Sequence, residues 1–85
     1  MKLLYFAWLK TKTGIAEEEI TPPPGVTDVA SLLAWLKGRG PGFAAALADL
    51  SAVRVAVNQD YARPGDKVRP GDEIALFPPV TGGRA

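Results

Sequence analysis

The sequence predicts an α+β domain: one mixed sheet packed on one main helix, with a short second helix. Three observations lead there. Apolar residues Val29, Leu32, Leu33 and Leu36 recur at i, i+3, i+4 and i+7, the stripe of an amphipathic helix. Extended, apolar-rich runs stand on both sides of that helix, at Leu3–Leu9, Val53–Val57 and Glu73–Phe77. The last run stops at Phe77-Pro78-Pro79-Val80-Thr81-Gly82-Gly83, where two prolines cannot continue a paired central strand.

The elements follow in order. Leu3–Leu9 reads as a strand with two apolar faces: Leu3, Tyr5, Ala7 and Leu9 on one, Leu4, Phe6 and Trp8 on the other. A strand of a one-sheet domain needs only one such face for its core, so the second points to a partner or to a strand covered on both sides. Lys10–Gly14 is a polar turn, and Ile15–Thr21 a second strand. Its Glu17-Glu18-Glu19 run reads as a solvated edge, where charge discourages strand pairing. Three adjacent carboxylates on a strand point to opposite faces and make a poor metal site. Pro22-Pro23-Pro24-Gly25 is a stiff loop, and Thr27 or Asp28 caps the main helix. Gly38, Gly40, Pro41 and Gly42 stop it. Phe43, Ala46, Leu47 and Leu50 form a shorter helical piece, and Trp35 falls off the main stripe, partly exposed. Val53–Val57 is a strand closed by a turn at Asn58-Gln59-Asp60. Two Arg-Pro-Gly-Asp copies, Arg63–Asp66 and Arg69–Asp72, read as type II turns around a short extended piece at Lys67-Val68. Asp72-Glu73 reads as a hydrophilic turn rather than a catalytic carboxylate pair.

Strand, strand, helix, short helix, strand, extended piece, strand is the β-grasp (ubiquitin-like) order. The crossover helix lets the first and last strands lie parallel in mid-sheet. The expected organisation is a domain over residues 1–77 and an extended tail over 78–85. From Pro78 to Gly83 that tail reaches about 20 Å. Glycine has no Cβ, so Gly82 and Gly83 pass where no side chain fits.

Composition narrows the chemistry. There is no cysteine and no histidine, which removes disulfides, thiolate and imidazole metal sites, and Cys- or His-dependent catalysis. The chain is poorly equipped to be an enzyme by itself. A net charge of +1 makes no electrostatic case for nucleic acid or a membrane surface. The run Met1–Lys10 loosely mimics a signal peptide, but it lacks a small-residue cleavage site and reads as a strand. A cytoplasmic location is the expectation.

Taken together, the aromatic first strand, Ala56-Val57-Asn58-Gln59, Gly71-Asp72-Glu73-Ile74-Ala75 and the Phe77–Gly83 string resemble the small subunit of molybdopterin synthase, the MoaD type of ubiquitin-like sulfur carrier. The resemblance runs over nearly the whole chain. It implies a non-catalytic, sulfur-donating subunit of an enzyme complex, with no bound cofactor and no metal. An ATP-dependent activating enzyme (MoeB type) would adenylate the carboxylate of Gly83, next to Gly82, and a sulfur donor would convert it to a thiocarboxylate. The tail would then enter the large catalytic subunit (MoaE type), in a heterotetramer, and deliver sulfur to cyclic pyranopterin monophosphate for molybdenum cofactor biosynthesis. The expected partner-binding residues are Phe6, Phe77, Leu4 and Trp8 on the sheet, with Pro78, Pro79, Val80 and Thr81 in the tail.

One departure stands out: Arg84 and Ala85 follow Gly83, so the Gly83 carbonyl is held in a peptide bond. Either the two residues are removed, or they are foreign to the mature protein, or the chain is not a working carrier. Two rival readings remain: a sulfur carrier for thiamine, tRNA or amino-acid biosynthesis, and a β-grasp interaction module without chemistry.

Overall fold

A computed structural model describes residues 1–79. Its elements are β1 (Lys2–Tyr5), α1 (Trp8–Thr13), β2 (Glu17–Glu19), α2 (Val29–Lys37), α3 (Pro41–Ala46), a 3-10 turn (Leu50–Ala52), β3 (Arg54–Val57), β4 (Asp60–Ala62) and β5 (Glu73–Phe77). The five strands form one sheet in the order β2-β1-β5-β3-β4. β1 and β5 run parallel at its centre, with Leu3 beside Ile74 and Tyr5 beside Leu76. The other pairings are antiparallel.

The main helix forms where its stripe predicts. Asp28 caps it: Oδ1 accepts from the Ser31 backbone N–H at 2.8 Å, and Ser31 Oγ accepts from the Asp28 N–H at 3.1 Å. This reciprocal pair satisfies two donors that the first turn leaves unpaired. Val29, Leu32, Leu33 and Leu36 are all buried, against Leu3, Tyr5, Val55, Ile74 and Leu76 on the inner sheet face. Val57, two residues on from Val55 along β3, is only partly buried.

Several local expectations are corrected. The first strand ends at Tyr5, not Leu9. Ala7 takes φ 54°, which turns the chain, and α1 occupies the stretch read as a polar turn. Leu9 is buried all the same, because the interval from Tyr5 to Leu9 suits a helix following a turn as well as a strand. Gly14, at φ 82°, then closes α1 by donating its N–H to Lys10 O at 2.9 Å. The second strand shrinks to its three glutamates, and Glu18 is not part of a solvated edge: it faces Tyr5 and Arg39. β4 was not anticipated. Asn58 and Gln59 both take positive φ (51° and 74°), the geometry of a tight hairpin turn, and return the chain along β3. The short extended piece at Lys67-Val68 makes a single isolated bridge, Asp28 with Lys67. Of the two Arg-Pro-Gly-Asp turns, only the second places its glycine at positive φ (Gly71, 92°), so only that one fits type II. Leu50, grouped with the second helix's apolar residues, lies beyond α3 and is 48% exposed.

Candidate interaction face and tail exit

Strand alternation sorts the sheet into two faces. Ile74 and Leu76 point into the core, so Glu73, Ala75 and Phe77 line the outer side of β5. Register extends that side across the sheet. Leu4 lies beside Ala75, Ala75 beside Ala56, and Ala56 beside Tyr61. The two alanines make a shallow floor between Leu4 and the Tyr61 ring.

One step toward the C-terminal end of β5 come the aromatic groups. Phe6 follows β1, and its N–H donates to Leu76 O at 3.1 Å, which places it beside Phe77. The Phe77 ring lies 5.8 Å from the Tyr61 ring, centroid to centroid. Phe6 is 49% exposed and Tyr61 74%, while Leu4, Phe77, Pro78 and Pro79 are half-buried. At the other end of the outer face the side chains are charged. Lys2 stands between Glu19 and Glu73 in register, and its Nζ lies 3.9 Å from Glu17. The face thus grades from charged to aromatic toward Phe77, where β5 ends. Contiguous exposed aromatic surface of this kind marks an interaction site.

Five of the expected partner-binding residues are described at this end of the sheet: Leu4, Phe6, Phe77 and, directly after it, Pro78 and Pro79. Trp8 does not join them. It opens α1 and packs, half-buried, against the core. Tyr61 also belongs to the face, on a strand of only three residues that the sequence pattern does not reveal. The signal was a turn dipeptide followed by Asp60-Tyr61-Ala62, too short a run to stand out. Val80, Thr81, Gly82 and Gly83, with Arg84 and Ala85, lie outside the described residues.

A second cluster is structural. Arg39 forms a two-point pair with Glu18, Nη1 to Oε2 at 2.6 Å and Nη2 to Oε1 at 3.1 Å. Its guanidinium also lies 5.2 Å from the Trp35 ring centroid and 4.7 Å from that of Phe43. Tyr5 donates its hydroxyl to Glu18 Oε2 at 2.7 Å. Burial, then the bond to Glu18 and its charge, push the Tyr5 phenol well above its usual range. Burial also works to raise Glu18, but the bonds from Arg39 and Tyr5 outweigh it and hold the carboxyl below the usual range. Tyr5 therefore stays neutral and Glu18 charged, a staple between β2 and the end of α2 and not an acid–base pair. Among the described residues no three His, Asp or Glu side chains converge as a metal site. No described helix is long and apolar enough to cross a membrane.

Comparison with known proteins agrees with this geometry. The model of the ThiS family matches residues 3–83. The chain is 37% identical to the molybdopterin synthase sulfur carrier subunit of Homo sapiens, over 98% of this chain and 93% of that protein. Among solved structures it resembles SAMP1 from Haloferax volcanii, with a TM-score of 0.74, 30% identity and 98% of each chain covered. It also resembles a putative molybdopterin converting factor subunit 1 from Pyrococcus furiosus, with a TM-score of 0.75, 31% identity, and 93% and 95% covered.

Proposed function

The chain belongs to the ThiS family, and on that premise we propose that it is the sulfur carrier subunit of a molybdopterin synthase. The observation that carries the reading is where the tail begins. β5 is the central strand, and it ends at Phe77 within the exposed aromatic face. A protein that covers this face also lies over the tail's point of departure. Binding and delivery are then one event, and the face supplies the affinity that a glycine tail lacks.

The chemistry is that of an activated acyl group. The Gly83 carboxylate attacks the α-phosphorus of ATP on the activating enzyme, and pyrophosphate leaves. Hydrosulfide then attacks the acyl carbon, expels AMP and gives up its proton, which leaves a thiocarboxylate. In the large catalytic subunit that sulfur passes to cyclic pyranopterin monophosphate. This protein holds and presents the sulfur, while the side chains that act on the pterin belong to the partner, in a heterotetramer. The carboxylate of Gly83 must be free, so Arg84 and Ala85 are absent from the active form.

Intact mass tests the reading. A chain ended at Gly83, incubated with ATP, the activating enzyme and a sulfur donor, gains the mass difference of one sulfur for one oxygen and then supports pterin sulfuration. A non-cleavable 85-residue form does neither. Equal transfer by that form, shown intact by mass after the assay, refutes the mechanism.

The likeness to SAMP1, one of whose structures is described as a small archaeal modifier protein, favours a second reading. A lysine amine attacking the same adenylate would join Gly83 to another protein through an amide. A mass increase on a target protein, in place of sulfur on the carrier, distinguishes the two.

A further inference from the structure

On the other side of the sheet, α2 does not fully cover the β3–β4 ribbon. Between them lies an open groove of about 320 Å³. Leu33, Leu50, Val53 and Ala62 line it. Leu50 is one of three large apolar side chains strongly exposed among the described residues; the other two, Phe6 and Tyr61, belong to the outer face. The volume is at the small end of the range for ligand pockets, about 300–1,000 Å³. It suits one or two inserted side chains better than an enclosed ligand.

The rim is basic. Arg54 and Arg63 both border the groove, and no carboxylate borders it among the described residues. Arg54 is held in place by its Nη1, which donates to Ser51 O at 3.0 Å. The Arg63 side chain makes no hydrogen bond or ion pair within the described residues. Two carboxylates near in sequence are turned to other work. Asp49 caps the 3-10 turn, and Asp66 accepts the Arg63 backbone N–H at 2.8 Å.

The groove also adjoins an unguarded edge. The sheet has two outer strands. β2 carries Glu17, Glu18 and Glu19, a charge run that discourages strand pairing. β4 has only Asp60, at the end away from the groove, and its Ala62 lies beside Val55, both of them lining the groove. An extended segment added along β4 would turn alternate side chains toward the groove, the strand-addition mode of peptide recognition.

We propose that this groove is a docking site for an acidic, apolar segment of a partner protein. The segment runs along β4, seats a bulky aliphatic side chain between Leu33, Leu50 and Val53, and meets Arg54 and Arg63 with flanking carboxylates. The site lies across the sheet from the aromatic face. Arg54 is the register partner of Phe77, so its side chain leaves β3 on the outer side and turns back at the start of the strand, where Nη1 donates to Ser51 O. The proposal stands whether or not the sulfur-carrier reading is right.

The test is amide chemical-shift mapping of the 85-residue chain with two synthetic peptides. One alternates aspartate with leucine and isoleucine; the other has lysine in place of aspartate. The acidic peptide is expected to give saturable shifts at Leu33, Leu50, Val53 and Ala62. The basic peptide should give none. R54E/R63E should weaken the acidic peptide at least tenfold while leaving the thermal transition near that of the parent, since both arginines are exposed. Shifts confined to Phe6, Tyr61 and Phe77 would overturn the proposal, as would absence of saturation or equal binding of the basic peptide. So would concentration-dependent shifts at the groove without peptide, which would make a second copy the occupant, and saturation by octanoate alone, which would make the groove a small-molecule site.

Discussion

Replacing Gly42 by alanine sets two effects of opposite sign against each other. Gly42 lies in α3, and in a helix alanine is favoured over glycine by about 1 kcal/mol. Yet a Cβ at this position would stand 2.5 Å from the backbone oxygen of Lys12, 3.5 Å from its carbonyl carbon and 3.6 Å from the Thr13 Cα. Close carbon–oxygen contacts settle at about 3.3 Å, so the two helices must part by about 0.8 Å. The obstacle is the backbone of α1, anchored by buried Leu9 and by the Gly14–Lys10 bond, so no side chain can swing aside. Overpacking of this kind costs about 1–3 kcal/mol, and a rigid neighbour puts the cost toward the upper end. The clash therefore wins, with net destabilisation of about 1–2 kcal/mol. In a domain of this size each kcal/mol lowers Tm by about 4–8 °C, which predicts a fall of roughly 5–15 °C. Thermal and urea unfolding measure it, with Gly25→Ala as the control. Gly25 has nothing within 4 Å of its added Cβ and no positive φ, and that variant should stay within about 0.5 kcal/mol of the parent. A Gly42→Ala protein as stable as the parent, or more so, would refute the close approach of α1 to α3. Because α1 begins just after Phe6, that approach also helps set the position of Phe6 on the outer face.

Three further outcomes are expected. Phe77→Asp should stay folded, because its ring lies on the outer face, yet bind the large synthase subunit roughly 30-fold more weakly or worse, as loss of an aromatic anchor does; calorimetry showing parental affinity would remove the face from the interface. Leu36→Ala should cost about 2–5 kcal/mol, because the side chain is fully buried, and a loss below 1 kcal/mol in urea unfolding would contradict its place in the core. Glu18 has its folded-state pKa below its unfolded one, so it stabilises the fold above the ordinary glutamate range, about 4.3, and that contribution disappears as pH falls through the lower folded value. Glu18→Gln should therefore be less stable at neutral pH and show a flatter acid limb in urea midpoints; curves parallel to the parent's would show that the Arg39 staple contributes nothing measurable.

The sequence by itself determined the α+β class, the crossover helix with its buried stripe, the central position of the last strand and the proline stop at Phe77. These rest on period and backbone restriction, which are local properties. Val29, Leu32, Leu33 and Leu36 repeat with the helical turn, and proline breaks a ladder wherever it sits. Tertiary structure alone decided the rest. Leu3–Leu9 is apolar throughout, so its pattern could not say that the strand ends at Tyr5; the turn at Ala7 decided it, and with it removed Trp8 from the outer face. β4 is three residues long, and it is a strand only because β3 offers it an edge, so Tyr61 stayed hidden until the hairpin was seen. Glu18 looked like its neighbours, because charge is visible in a sequence and a partner from another element is not. Arg39 and Tyr5 come to it from the end of α2 and the end of β1, and only the folded chain brings them together.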